Sequence, residues 1–433
     1  MSSMVGTLKN AWKVGELRKR LLFTILIIVI FRIGSHIPVP GIDRVQFTNL
    51  IRRFGQLGQM MDIISGGALT SVSIFSLGVQ PYINASIIMQ LLTVAIPSLE
   101  DMAKEGETGR KKIQKITRYL MVGLALLQSF AFWYATRTAG TDAIPAAINA
   151  IMVILVFTAG TSLVTWLGEL VNDKGIGNGI SVLIFVGIVS RMPQMLQALW
   201  YTVRAWDINN NWGPIVATIL LILFVAAALA LLVFVIFVQG GERRIPVQYS
   251  RRVVGRKQYG GQSTYLPIKV NQSGVLPVIF AMSISQLPSI IISFLFPNST
   301  GPIVTFFREL GTNPLYYVIM AFLILGFTFF YSLIQFNPIE ISNNMQKNGG
   351  YIPGIRPGRP TSEFIGKTAG RLNWFDALFL IIVTLSPMLI GTLTNTSAIW
   401  MGGTSVIIMV GVVRDLVNQL ESQMMMKHYK GFL

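Results

Sequence analysis

Long apolar runs separated by shorter polar segments dominate the sequence. Each run has about the 20 residues that an α-helix needs to cross the hydrocarbon layer of a membrane. The pattern therefore predicts ten transmembrane helices. The predicted spans run approximately from Leu21 to Pro38, Ser73 to Ile96, Ile116 to Thr136, Ala147 to Leu170, Ile180 to Tyr201, Gly213 to Val238, Val270 to Phe296, Leu315 to Phe336, Trp374 to Leu393 and Ala398 to Leu420.

The second and seventh spans share a short motif, GVQPYINA from Gly78 and GVLPVIFA from Gly274. Glycine and proline both weaken a helix interior, so their common spacing calls for a reason. One reason is an internal repeat of five spans, whose second copy would enter the membrane inverted because five is odd. The halves would be residues 1–201 and 202–433. Apolar sequence also produces such matches by chance, so the motif alone leaves both explanations open.

The segment from Met60 to Thr70, between the first two spans, has an unusual composition. It is too short to cross a bilayer and too apolar for an ordinary exposed loop. A short re-entrant segment buried inside the protein fits this pattern best.

Composition supports the membrane interpretation, because 52% of the residues are hydrophobic, only 12% are charged and the mean hydropathy is +0.59. A soluble chain carries about a quarter charged residues. Cysteine is absent, which excludes disulfides and thiolate metal sites. The two histidines, His36 and His428, are too far apart in sequence to form a local metal motif.

The formal net charge of +17 has two explanations. A basic soluble protein suggests nucleic acid, whereas membrane proteins concentrate Lys and Arg in cytoplasmic segments for topological reasons. Placing both termini in the cytoplasm puts most of the 35 basic residues on that side, which favours topology. The same choice makes residues 239–269 and 337–373 long, basic cytoplasmic loops, and such loops commonly bind partners.

Sequence motifs for catalysis are missing. The chain has no phosphate-binding GxxxxGK[ST], no HExxH and no paired histidine and nucleophile, so we expect neither an enzyme nor a cofactor. The glycines of GIGNG, from Gly175, lack the spacing of a dinucleotide-binding loop and follow a predicted membrane helix. We interpret them as a flexible loop.

Charged residues near the bilayer help to separate function classes. The nearest are Arg32, Glu169, Asp376, Arg414 and Asp415, and we expect all five near helix ends. Ion-coupled carriers generally keep an ionisable residue close to the membrane centre. The pattern therefore disfavours a proton- or sodium-coupled carrier.

Mildly polar residues concentrate on the second and seventh spans. They are Ser73, Ser76, Gln80, Asn84, Ser86 and Gln90 on one, and Asn271, Gln272, Ser273, Ser283, Ser285 and Gln286 on the other. Such residues commonly make interhelical hydrogen bonds that only help packing. They also suit a seam between helices that parts and becomes wetted, and the sequence leaves both uses open.

Longer motifs follow one another in order along nearly the whole chain. They are SGGAL, PYINASII, GIGNGIS, GERRIPVQY, QSTYLPIKVN, NPIEISNNMQKNGGYIPGIRPG and GGTSVII. Together they resemble the SecY family, the large pore-forming subunits of the bacterial Sec protein-conducting channel. This resemblance implies an all-α integral membrane protein of ten helices in two inverted five-helix halves, hinged between the fifth and sixth spans, with a short re-entrant plug helix at about residues 56–72.

The resemblance also implies roles for particular residues. The pore ring would be Ile83, Ile87, Ile180, Ile184, Ile279 and Ile408, the mobile plug would include Ser65, Gly66, Gly67 and Ala68, and the lateral gate would include Gln80, Asn84, Asn271 and Gln286. For any single isoleucine in an apolar helix, ordinary packing is the simpler explanation. Only the matched set favours a pore.

The partners implied by the resemblance are the SecE and SecG subunits, the SecA ATPase, the translating ribosome, and secretory and membrane proteins with signal sequences, in the lipid bilayer of the cell membrane. Their docking residues would be Arg243, Arg244, Arg251, Arg252, Arg256, Lys257, Arg356 and Arg359. Two alternatives stay open. One is a secondary transporter with inverted repeats, and the other is a scaffold that only anchors the ribosome.

Overall fold

The computed structural model describes residues 12–45, 47–48, 65–136, 145–210, 214–249, 252–254, 257–259, 263–295, 301–308, 313–393 and 402–430. Helices dominate this part of the chain. They are α1 (Gly15–Gly34), α2 (Gln80–Ala95), α3 (Pro97–Lys104), α4 (Glu107–Thr136), α5 (Ala146–Lys174), α6 (Gly179–Asn210), α7 (Pro214–Gly240), α8 (Leu276–Leu295), α9 (Pro302–Arg308), α10 (Pro314–Gln335), α11 (Pro338–Lys347), α12 (Arg359–Leu393) and α13 (Gly402–Lys430). Five strands accompany them, β1 (Glu242–Tyr249), β2 (Arg252–Val254), β3 (Lys257–Tyr259), β4 (Ser263–Lys269) and β5 (Gly350–Tyr351).

Each predicted span coincides with one of these helices. Within the described residues, seven helices, α4 to α7, α10, α12 and α13, are long and apolar enough to cross a membrane. The pair α2 and α3, bent by 101° at a short break, adds an eighth. The remaining two predicted spans are α1 and α8, each of 20 residues. The prediction of a helical, multi-pass membrane protein is confirmed.

The shared glycine and proline of the second and seventh spans mark where those helices start. Gly78 has a φ of 54° and Gly274 a φ of 65°, in the left-handed region that glycine adopts without steric cost. Each glycine lies two residues before its helix, and Pro81 or Pro277 follows in the first turn, where proline lacks only an amide that has no helical partner. The predicted helical starts at Ser73 and Val270 were therefore wrong, because the residues that precede each helix form turns.

Two compact units make up the chain. The first comprises Met1–Thr202, Gln286–Thr312 and Val412–Leu433, and the second comprises Val203–Ser285 and Asn313–Gly411. The boundaries of these units run through α6, α8 and α13. The division into repeat halves at residue 201 stays a prediction.

The first unit is held together by close approaches that only glycine permits. A Cβ atom on Gly160 of α5 would lie 1.8 Å from the carbonyl oxygen of Ile74, and one on Gly179 of α6 would lie 1.9 Å from the carbonyl oxygen of Gly168. Small residues at such contacts let helices and loops approach closely within a membrane. Near the other end of α5, Glu169 accepts a two-pronged ion pair from Arg118 of α4, with N···O distances of 2.8 and 2.7 Å.

The second unit contains a small sheet that the sequence analysis did not predict. Strand β1 pairs antiparallel with β4, from Glu242 opposite Lys269 to Gln248 opposite Ser263, and its far end pairs with β5. Alternate residues of β1, Ile245 and Val247, are buried against α11 and α12. This period of two was the signal in the sequence for a half-buried strand. The two long basic loops therefore form one folded surface.

Gly160→Ala tests the close approach of α5 to residue 74. The added methyl group meets a backbone oxygen that no side-chain rotation can move, so we expect a loss of about 1–3 kcal/mol in unfolding free energy. Gly123→Ala on α4 is the matched control, because nothing lies within 4 Å of its Cβ position. Thermal unfolding of the purified proteins in detergent would measure both, and equal stability of the two variants would contradict this packing.

Candidate functional site

In the first unit, residues 65–79 form a chain of turns that leads into α2. The predicted plug lies partly here, since Ser65, Gly66, Gly67 and Ala68 are described, whereas its residues 56–64 lie outside the described part of the chain. Two backbone hydrogen bonds join the segment to the chain beyond α1. Val39 N donates to Val72 O at 2.8 Å, and Ile74 N donates to Ile37 O at 3.0 Å.

Side-chain hydroxyl groups satisfy much of the backbone of this segment. Ser76 Oγ donates to Ala68 O at 3.0 Å and to Ser73 O at 2.6 Å. Leu69 N donates to Ser65 Oγ at 3.2 Å. Ser76, one of the polar residues that we assigned to a seam between the second and seventh spans, therefore binds local backbone groups in this structure.

Two arginines from neighbouring helices donate to the same segment. Arg32 of α1 reaches Gly66 O at 3.0 Å and Ser190 Oγ at 2.9 Å. Arg191 of α6 reaches Thr70 Oγ1 at 2.7 Å. Charged donors form stronger hydrogen bonds than neutral ones, so these two contacts fix the segment against α1 and α6. Resemblance to the family had not indicated either arginine.

Gly66 and Gly67 fit the backbone geometry of the segment and its close packing. Their φ angles are 66° and 88°. A Cβ on Gly66 would lie 2.7 Å from Gly187 Cα, and one on Gly67 would lie 2.8 Å from Arg191 Nε. Glycine is thus required twice over, for the left-handed backbone and for the close approach to α6.

The apolar side of the segment packs into a core cluster of the first unit. Leu69, Val72 and Leu77 lie with Val153 and Phe157 of α5, and all five are buried. The segment is therefore seated by apolar contacts on one side and by arginine hydrogen bonds on another.

Four of the six predicted ring isoleucines belong to the first unit. Ile83 and Ile87 lie one turn apart on α2, and Ile180 and Ile184 lie one turn apart on α6, so each pair shares a helix face. Ile87, Ile180 and Ile184 are nearly buried, whereas Ile83 is half-buried.

The other two ring isoleucines, Ile279 and Ile408, belong to the second unit. Both are half-buried, while their neighbours Val278, Phe280 and Ile407 are fully buried. Each of these isoleucines therefore lies beside the packed face of its helix and not within it.

Contacts around these two positions fix the helices that carry them. Phe280 packs edge-to-face on Phe327 of α10, with ring centroids 5.6 Å apart. Gln239 of α7 donates to Ile407 O at 3.2 Å. The backbones at Ile279 and Ile408 are therefore held by neighbouring helices.

The predicted gate residues differ from one another in their surroundings. Gln80 opens α2, and Asn84 follows one turn later with its Oδ1 buried and without a hydrogen-bond partner among the described residues. Asn271 Oδ1 accepts from Gly274 N at 2.6 Å and so stabilises the turn before α8. The side chain of Gln286 lies outside the described part of the chain.

Asp376 was expected near a helix end, and this was wrong. It lies well inside α12 and is fully buried, because the polar residues that precede the apolar run are helical from Arg359 onward. Its Oδ2 accepts from Ser273 Oγ at 2.6 Å and from Ser273 N at 3.3 Å. A buried carboxylate thus contacts the turn that begins the seventh span.

Four of the predicted docking residues are visible on the folded surface. Arg243, Arg244, Arg356 and Arg359 are exposed. Arg359 pairs with Glu363 at 3.2 Å, whereas the described residues place no carboxylate within ion-pair distance of Arg356. Arg251 and Arg256, and the side chains of Arg252 and Lys257, lie outside the described part.

The turn that carries Arg356 is rigidly built. Gly354 and Gly358 have φ angles of 81° and 97°. Thr361 Oγ1 donates to Arg356 O at 2.8 Å, and Ser342 Oγ of α11 donates to Gly358 O at 2.8 Å. The cation is presented from a defined position.

Known proteins are similar along the whole chain. The SecY family profile matches residues 73–417. A protein named protein translocase subunit SecY from Streptomyces scabiei is 42% identical over 446 residues, covering 99% of this chain and 100% of the relative. A protein of the same name from Thermotoga maritima is 42% identical, covering 98% of this chain and 97% of the relative.

Solved structures share the fold. A structure described as a protein-conducting channel aligns with 94% of this chain and 92% of its own, with a TM-score of 0.62 at 18% sequence identity. A second structure comes from work described as showing that the plug domain of the SecY protein stabilises the closed state of the translocation channel. It has the same coverage and a TM-score of 0.64 at 18% identity. Sec61 in a canine ribosome–channel complex aligns with a TM-score of 0.57 at 16% identity.

Arg191→Met tests whether the arginine contact holds the segment of residues 65–79. Loss of a charged hydrogen bond of about 1.5–3 kcal/mol is expected to raise amide hydrogen exchange there by about tenfold or more. Arg110→Met on exposed α4 surface is the control and should leave exchange in this segment unchanged. Unaltered protection in Arg191→Met would show that the apolar cluster and the contact from Arg32 seat the segment without Arg191.

Proposed function

The chain belongs to the SecY family, and from that premise we propose that it is the central subunit of a protein translocation channel and not an enzyme. It passes unfolded secretory polypeptides across the cytoplasmic membrane and releases signal sequences and membrane spans into lipid. Full-length similarity together with isoleucine at all six matched ring positions carries this proposal.

Conduction rests on the chemistry of those isoleucines. A narrow ring of branched aliphatic side chains sheds water when it is empty and so blocks ions. The ring also offers a passing chain no hydrogen-bond partner or charge, so that different sequences slide through without sticking. Ile279 and Ile408 are suited to this role because they stay outside the packed faces of their helices.

Residues 65–72 act as the described part of the plug. Hydrogen bonds and small apolar contacts, all of them reversible, hold Ser65, Gly66, Gly67 and Ala68 in place. Opening requires that the contacts from Arg32 and Arg191 break and reform. Their number is small enough for a reversible movement.

Lateral release takes place between α2 and α8. Both helices start at a glycine and proline turn, and both carry amide or hydroxyl side chains near that start, including Gln80, Asn84 and Asn271. Small polar side chains of this kind lose little dispersion energy when two helices separate, and water can form hydrogen bonds with their exposed groups. Apolar segments of the passing chain then enter lipid according to their transfer free energy.

One observation, the position of Asp376, favours the alternative of a secondary transporter. This residue is an ionisable group inside a membrane helix, which the sequence analysis had not expected. Its Oδ2 accepts both donors of Ser273, which supports a structural use. A scaffold that only anchors the ribosome would need neither the plug contacts nor the isoleucine set.

The basic surface formed by β1, β4, β5 and the turn at Arg356 is the docking face for the SecA ATPase and the translating ribosome. SecA offers carboxylates and the ribosome offers RNA phosphates, so both would bind in a salt-sensitive way. SecE and SecG complete the complex. With this face in the cytoplasm, both termini are cytoplasmic as well, in agreement with the distribution of basic residues.

Single cysteines test the path of the polypeptide, because the native chain has none. We expect Ile87→Cys and Ile279→Cys to crosslink to a secretory chain stalled in transit. The control Ile222→Cys, on the exposed face of α7, should not react. Crosslinking at Ile222 without reaction at the ring positions would sink the pore assignment.

Arg356→Ala tests the docking face. Because the described residues place no carboxylate within ion-pair distance of this charge, its removal should weaken SecA binding to the channel complex in lipid nanodiscs by about tenfold at low salt. Arg359→Ala should lose less, since Glu363 already neutralises part of that charge. Binding titrations at several salt concentrations would measure both, and unchanged affinity in Arg356→Ala would contradict the assignment.

A further inference from the structure

The start of α8 is tied to α12 by a buried carboxylate. Asp376 is fully buried, and both the hydroxyl and the backbone amide of Ser273 donate to its Oδ2. Ser273 lies in the turn directly before Gly274 and α8. We propose that this contact is a positioning contact that determines how hydrophobic a signal sequence must be to open the channel.

The turn of residues 271–275 depends on few other contacts. Asn271 Oδ1 accepts from Gly274 N within the turn, and Ser332 Oγ of α10 donates to Gln272 Oε1 at 3.3 Å. Among the described residues, only the contact with Asp376 involves a charged acceptor, and charged hydrogen bonds are about twice as strong as neutral ones. The carboxylate therefore contributes more to the position of this turn than either amide does.

Breaking the contact is costly because the donors to the carboxylate among the described residues, Ser273 and the backbone of Gln272, all lie in this one turn. Its Oδ1 already lacks a hydrogen-bond partner among the described residues. Moving the turn out of reach would leave a buried charge without these donors, and such a charge is strongly destabilising. Any movement of the start of α8 away from α12 meets this cost.

This inference rests on the proposed function, in which α8 moves at the lateral opening. The transfer free energy of a signal sequence must offset the cost of that movement. A weak signal sequence fails where a strong one succeeds, and the difference between them is set partly by the Asp376–Ser273 contact.

The corresponding turn before α2 is built differently. Serine hydroxyls and Arg32 satisfy its backbone, Arg191 donates to the Thr70 hydroxyl, and the described residues place no carboxylate among its hydrogen-bond partners. The carboxylate contact thus distinguishes the start of α8 from that of α2.

The test is export of a reporter protein from cells whose only copy of the channel subunit is Asp376→Asn, Ser273→Ala or the double variant. The reporter carries signal sequences of stepwise increasing leucine content. We expect each single variant to raise export of the weakest signal sequences by about tenfold, with little change for the strongest. The double variant should raise export by less than the product of the two single effects, because both substitutions weaken the same contact.

Two further variants separate positioning from general stability. Thr384→Val removes a buried hydroxyl of α12 that lies about two turns along the helix from Asp376, and should keep the wild-type dependence on signal hydrophobicity. Ser273→Thr keeps the hydroxyl donor and should also keep it. If Asp376→Asn fails to accumulate, the comparison of Ser273→Ala with Ser273→Thr carries the test.

An unchanged dependence in Ser273→Ala, at normal protein level, would overturn the positioning contact. Equal loss of export for all signal sequences would overturn it as well, since that is the result of a weakened fold. If export through the wild-type protein did not depend on signal hydrophobicity at all, the proposed function would fail instead.

Discussion

Backbone amide and carbonyl groups inside a membrane must find hydrogen-bond partners within the protein, and this constraint shapes both unusual segments of the chain. Residues 65–79 and 271–275 are non-helical and lie next to membrane helices. Backbone groups of the first segment are satisfied by serine hydroxyls and Arg32, and those of the second by Asn271 and Asp376. Departure from the helix is possible at these two places because side chains replace the missing partners.

The same requirement explains how far sequence reasoning reached. Apolar length predicted the helices well, since lipid allows few alternatives to a helix. The glycine and proline motif correctly drew attention to the starts of α2 and α8, although it was first taken as part of each helix. Partners of the turns could not be predicted, because Arg191 and Asp376 are remote in sequence from the groups that they contact. Asp376 was misplaced because polar residues continue α12 beyond its apolar part.

The pore ring could not be assigned from the residue pattern alone. Each isoleucine of the set is ordinary in an apolar helix, and resemblance to known motifs was needed to select the six. The structure then adds a distinction, because Ile279 and Ile408 are less buried than their neighbours. The sheet of β1, β4 and β5 was missed although Ile245 and Val247 alternate with exposed residues. Only three strands take part, and their pairing joins two loops that are distant in the sequence.

The contact between Asp376 and Ser273 restricts the order in which evolution can change these two positions. Losing Ser273 first removes the hydroxyl donor and leaves the buried negative charge with backbone donors alone, which is strongly unfavourable. Losing Asp376 first leaves only a serine hydroxyl and an amide, whose cost is smaller. In lineages that lose both residues, we therefore expect the aspartate to be replaced before the serine. In lineages that gain both, we expect the serine to appear first.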